Sequence, residues 1–182
     1  MKKILVLIIL MIMLTGCGKD TVVSRNEEPV PQDDDILTED DMAIVEISDS
    51  SEFMDELGIK FNSELFAGDA TLSILNGKVG EVSFVMTSVN GFDTICILRM
   101  TRDKDYAHGL SGYKDSEIKD SYTISTETGS GLVDLECGYV REEGVTVYTF
   151  EKDGTYFAFN IGEGLSQMTI AALLDGLFAA IE

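Results

Sequence analysis

Apolar and polar positions divide this chain into three regimes. An unbroken apolar run extends from Ile4 to Leu14. Residues 18–49 are polar and acidic and hold no aromatic side chain, the first being Phe53. From about residue 50 the pattern is that of a folded chain. Glu52, Phe53, Met54, Glu56 and Leu57 read as a short helix capped by Asp49 or Ser50 and stopped by Gly58. Its apolar face would be Phe53, Met54 and Leu57. The period then changes to two. Strands are predicted at Ala70–Leu75, Val79–Thr87 (Val82, Phe84 and Met86 on one face) and Phe92–Thr101 (Phe92, Cys96, Leu98 and Met100 together). Asn76-Gly77 and Asn90-Gly91 supply the turns between them.

A polar connection from Arg102 to about Ser121 follows. Beyond it Ser121–Thr126 is a further candidate strand. Leu132–Val140 sets Val133, Leu135, Cys137 and Tyr139 against Asp134 and Glu136. Val145–Glu151, Asp153-Gly154 and Thr155–Ile161 form a hairpin pattern. The end is helical: Ser166 is a candidate N-cap, and Ile170, Leu173, Leu174, Leu177, Phe178 and Ile181 make one apolar stripe. Gly176 interrupts that stripe, and close packing onto a sheet would account for it. Met42–Ile47 alternates weakly enough to suit only an edge strand. These elements predict an α+β fold, an antiparallel sheet of about six strands with a short N-terminal helix and an amphipathic C-terminal helix packed on one face. The expected organisation is a signal segment at 1–16, an acidic tether at 17–49 and one globular domain at 50–182.

The first regime has the parts of an export signal. Lys2-Lys3 precede the apolar run, which is too short for a comfortable membrane span. It closes with Leu14-Thr15-Gly16-Cys17, which resembles the lipobox of bacterial lipoproteins. In such signals the cysteine thiol takes a diacylglyceryl group and becomes the first residue after cleavage. Cys17 is therefore the expected lipid attachment point, and the membrane, reached through that lipid, the expected partner. Cleavage would remove 16 of the 182 residues and two of the 13 basic ones, leaving 166 residues with a charge of −22 in place of −20. That length suits one domain. The tether holds both prolines, Pro29 and Pro31, and the runs Asp33–Asp35 and Glu39–Asp41. As a coil it would reach about 30 Å.

The charge argues against nucleic acid and against direct adhesion to anionic lipid. It leaves room for an envelope protein or ligand. Two cysteines remain after lipidation, Cys96 and Cys137. An exported pair suits a disulfide, and two buried free thiols are equally natural. No catalytic constellation is evident. His108 is the single histidine; Ser111 and Ser116 lie near it, but no Gly-x-Ser-x-Gly elbow exists. Zinc-ligand spacing is absent. A calcium loop begun at Asp103 has Asp105 at its third position but fails at Ala107 and Lys114. There is no phosphate-binding glycine loop. No metal, cofactor or catalytic residue is expected.

Three stretches carry a family likeness. They are Ser73–Phe84, Leu98-Arg99-Met100 leading to Leu110-Ser111-Gly112-Tyr113, and Val147–Phe150 through Phe157 to the closing helix. Together they resemble uncharacterised lipid-anchored lipoproteins of Gram-positive bacteria that end in a domain of unknown function. The likeness covers roughly residues 50–182. Such domains often carry tryptophan where this chain has Val147 and Tyr148. The resemblance implies an extracytoplasmic, non-enzymatic domain and supplies no catalytic residues. The expected function is a binding or sensory module of the cell envelope. The alternatives are a carboxylate-dependent hydrolase acting on cell-wall material and a small solute-binding lipoprotein.

Overall fold

Alternation of large apolar and polar side chains makes strands the dominant element of the described residues, and their order decides everything else. The computed structural model describes residues 43–67, 69–87, 93–162 and 166–181. The expected signal segment, Cys17, the tether through residue 42, the Asn90-Gly91 turn and Phe92 lie outside the described residues. The strands are β1 (Ile44–Ile47), β2 (Thr71–Leu75), β3 (Val79–Thr87), β4 (Asp93–Thr101), β5 (Ile118–Thr128), β6 (Gly131–Val140), β7 (Val145–Lys152) and β8 (Thr155–Gly162). The helices are α1 (Glu52–Leu57), α2 (Ser63–Phe66), α3 (Lys104–Ala107) and α4 (Gln167–Ile181).

All eight strands join one sheet in the order β1-β2-β3-β4-β8-β7-β6-β5, and each neighbouring pair is antiparallel. The expected count of about six is corrected to eight among the described residues. The additions are the edges: β1, which brings residues 44–47 out of the expected tether into the sheet, and β5, longer than Ser121–Thr126. Edge strands carry more solvent-facing polar side chains, so their alternation is weak in the sequence. The hairpin turns are as expected. Asn76-Gly77 and Asp153-Gly154 both hold positive φ at each residue (52° and 64°, 52° and 72°), as a tight hairpin with right-handed twist requires.

One face of the sheet is the dry core. Val82, Leu98, Met100, Leu135, Phe157 and Phe159 lie there, joined by Phe53 from α1 and Leu174, Leu177 and Phe178 from α4. Aromatic edges bind the layers: Phe66 of α2 stands 5.2 Å from Phe84 and 6.1 Å from Phe159, and Phe178 stands 6.1 Å from Phe150. The short N-terminal helix and the C-terminal helix thus both cover this face. Met54 does not join Phe53, being 54% exposed. Two short helices, α2 and α3, were not apparent in the pattern. Each is one turn capped by a local Asx contact, Asn62 Oδ1 accepting from Glu64 N and Asp103 Oδ1 from Asp105 N.

The second face is crossed by the segment from β4 to β5. The chain leaves β4 at the sheet centre and must reach β5 at the far edge, so residues 102–117 run over the strands between. Buried Thr101 fixes the departure, its Oγ1 donating to the Lys78 carbonyl (2.8 Å) and accepting from Asp103 N (3.1 Å). Leu110 then packs with Leu75, Val79 and Ala158 in a second, smaller apolar cluster. β8 is accordingly covered on both faces, and Phe157, Ala158, Phe159, Asn160 and Ile161 are all buried.

Gly176 faces α2 rather than the sheet, which corrects the packing reason for it. A Cβ there would meet Phe66 Cδ2 at 3.7 Å, an ordinary contact. Gly176→Ala should therefore raise stability by about 1 kcal/mol. Leu177→Ala, at the next and fully buried position, should cost about 2–5 kcal/mol. Urea unfolding of the two variants checks the pair; a destabilised Gly176→Ala would mean that α4 sits closer to α2 than described.

Candidate functional site

The second face carries a polar row that runs across seven strands. Register places Ser73, Glu81, Arg99, Ala158, Thr149, Glu136 and Thr123 side by side. The crossing segment divides this row. On one side it covers Arg99, whose Nε donates to Glu81 Oε2 at 2.7 Å in a largely buried ion pair. The guanidinium lies directly against Gly112: a Cβ there would come within 2.2 Å of Arg99 Nη1, and the backbone φ is +81°. Only glycine admits this approach. Asn160 Nδ2 donates to the Ser111 carbonyl at 2.7 Å, and Tyr113 OH donates to Glu143 Oε2 in the β6–β7 turn at 2.7 Å. The segment is thereby fixed to the sheet at its middle and to the turn beyond it. Arg99 and the Leu110–Tyr113 stretch, linked in the sequence only through a resemblance, are in contact.

On the other side the row stays open. A cleft of about 460 Å³ lies between the crossing segment and β5, β6 and β7. Thr123, Glu136 and Thr149 form its polar floor, Gly138 and Val147 its apolar part, and Leu110 and Ile118 its walls. Ile118 leans in because Gly138 leaves space for it; a Cβ at 138 would meet Ile118 Cγ2 at 2.1 Å. A register shift between Lys119 and Tyr122 lets the start of β5 fold over in this way. His108 and Asp115 stand at the rim, Nε2 to Oδ2 at 3.6 Å, both more than three-quarters exposed.

The expected site residues are scattered. Cys17 lies outside the described residues. Cys96 on β4 and Cys137 on β6 are separated by β8 and β7, about 14 Å of sheet, where a disulfide needs Cα atoms within about 7 Å. The candidate disulfide is thus corrected: both are buried free thiols, and burial pushes each up to about 11. Ser111 is buried, its Oγ accepting from Tyr113 N at 3.3 Å, and among the described residues no hydrogen bond joins it to His108. Ser116 offers its carbonyl to Lys119 Nζ. Glu136 was legible only as an outward position of β6. That Thr123 and Thr149 flank it depends on strand order and register, which no local pattern encodes.

No family model matches this chain, and neither a curated protein nor a solved structure does.

Burial, and then the hydrogen bond to Glu143, push the Tyr113 phenol up to about 12 from 10.0; burial does the same to Tyr148. The unfolded chain ionises these phenols more easily than the folded one. Their contribution to stability is therefore complete below pH 10 and is lost as pH rises through about 12. Tyr113→Phe should flatten the loss of stability between these limits without abolishing it, since Tyr148 remains. Urea midpoints measured from pH 9 to 12 check this; an unchanged slope would separate Tyr113 from the alkaline transition.

Proposed function

We propose that this chain is a lipoprotein anchored through a lipid on Cys17 at the extracytoplasmic face of the cell membrane, and that its domain is a non-enzymatic binding or sensory module of the envelope. The open cleft on the second face carries this reading. It combines a polar floor with apolar walls, as sites that orient a ligand do, and its floor is built on strands. Its chemistry favours binding over catalysis. The one histidine pairs with an exposed aspartate at the rim. The buried Ser111 hydroxyl accepts from the Tyr113 backbone, and both thiols are held protonated in the protein interior. The described residues form one sheet rather than two lobes, which favours this reading over a two-lobed solute receptor. Lys2-Lys3, the apolar run and Leu14-Thr15-Gly16-Cys17 support the anchor, and the likeness to lipid-anchored lipoproteins of Gram-positive bacteria supports the same address.

Two measurements test it. Cys17→Ser should leave the protein unprocessed or release it from membranes; a processed mutant that still partitions into detergent would contradict the anchor. In-cell cross-linking of the full lipidated chain should enrich a defined envelope component, and Thr149→Arg, which fills the cleft floor, should abolish that capture. Capture unaffected by Thr149→Arg, or turnover of envelope material by the wild-type protein at enzymatic rates, would contradict the reading.

A further inference from the structure

We infer that the cleft receives a primary alkylammonium group, docked on Glu136 between Thr123 and Thr149. The inference rests on the cleft being the binding site and adds the chemistry of its ligand.

The charges come first. Among the described residues no lysine or arginine lines the cleft. Lys114, between Tyr113 and Asp115 on the crossing segment, is exposed and does not join the lining, and the other cations close to the cleft are engaged elsewhere. Arg141 lies 3.6 Å from Asp120, Lys119 Nζ donates to the Ser116 carbonyl, and Arg99 is held by Glu81 under Gly112. His108 at the rim is paired with Asp115. Glu136, on the floor, has neither hydrogen bond nor ion pair among the described residues. An anionic ligand would meet this carboxylate on a chain of net charge −20. A neutral ligand seated over it would strip water from an uncompensated charge, which is costly. A divalent cation would want several carboxylates, and no group of three or more ligating side chains is placed to hold one among the described residues. A ligand bearing its own positive charge removes the penalty.

The geometry selects the kind of cation. Thr123 and Thr149 flank Glu136 on the adjacent strands, in register. Strand spacing sets each about 4.8 Å away. The row thus offers one carboxylate with a hydroxyl acceptor beside it on either strand. An ammonium group has three donors and no acceptor, directed to three corners. A planar guanidinium is better served by a carboxylate taken edge-on with both its nitrogens. Next to the row, Gly138 and Val147 with Leu110 and Ile118 provide an apolar lining for methylene groups. An alkyl stem with a charged head matches both parts of the cleft. Such a group can come from a free diamine or from a lysine side chain of a protein.

Isothermal titration calorimetry of the full chain in detergent micelles tests this with three probes. These are cadaverine, Nα-acetyl-lysine N-methylamide, and the same lysine derivative acetylated on its side-chain nitrogen. The two ammonium probes should bind saturably and the acetylated one should not. Tighter binding of cadaverine identifies a free diamine as the source, and tighter binding of the lysine derivative identifies a protein side chain. Glu136→Gln should weaken either by about tenfold or more. Glu142→Gln, an exposed acid in the β6–β7 turn, should change it by less than about twofold. Equal weakening by the two variants would reduce the effect to the overall negative field and overturn the proposal. So would equal binding of the acetylated probe, or no saturable heat from the ammonium probes. Repeating the in-cell capture separates the two levels. Capture lost in Thr149→Arg but kept in Glu136→Gln overturns the ammonium and leaves the cleft as the binding site; capture kept in both overturns both.

Discussion

The pairing of β4 with β8 is the contact on which the rest depends. Without it the described strands are two antiparallel meanders, β1 to β4 and β5 to β8, whose members follow one another in the chain, β1 and β2 with two helices between them. Six residue pairs, from Cys96–Ile161 to Thr101–Tyr156, join them into one sheet. The partners lie far apart along the chain, so closing this seam costs more loop entropy than any hairpin. Apolar side chains on both faces offset that cost: Leu98, Phe159, Met100 and Phe157 on the helical side, Ala158 under Leu110 on the other. Putting β8 beside β4 also sends β5 to the far edge. The segment between β4 and β5 must then cross the second face, and the cleft is the part of that face it leaves uncovered.

The two faces consequently differ in kind. One is closed by α1, α2 and α4 over an aromatic layer, and changes there act through packing density. The other is held by a few directed polar contacts: Arg99 with Glu81, Asn160 with the Ser111 carbonyl, and Tyr113 with Glu143. A buried ion pair such as Arg99–Glu81 is a weak source of net stability. Its position under Gly112 makes it a support for the crossing segment, and hence for one wall of the cleft. Much of the remaining acidic charge lies on solvated positions, which keeps the surface soluble and repels anions from the cleft mouth.

What could be read from the sequence was local. Asn76-Gly77 and Asp153-Gly154 declare their hairpins because only a few residues tolerate positive φ at two successive positions. The α4 stripe is long enough to be unambiguous. Met54 was misplaced because a two-turn helix does not specify which flank turns inward. β1 and β5 were undercounted because an edge strand meets water on one side and its alternation is diluted by polar residues such as Lys119, Ser121 and Thr123. The disulfide alternative and the polar row failed or escaped for one reason. Both depend on which strands are neighbours, and strand order is decided by the β4–β8 seam, a contact between residues about sixty apart that no window of sequence contains.

Hydrogen–deuterium exchange of the full chain, followed amide by amide, tests that seam most directly. If β4–β8 pairing holds the sheet together, the amides of both strands should exchange only by global opening, at the same slow rate and with the same urea dependence. The edge strands β1 and β5 should exchange faster. If β8 instead opens together with β5, β6 and β7 while β4 stays protected, the two meanders are independent units. The cleft would then owe its shape to something other than the seam.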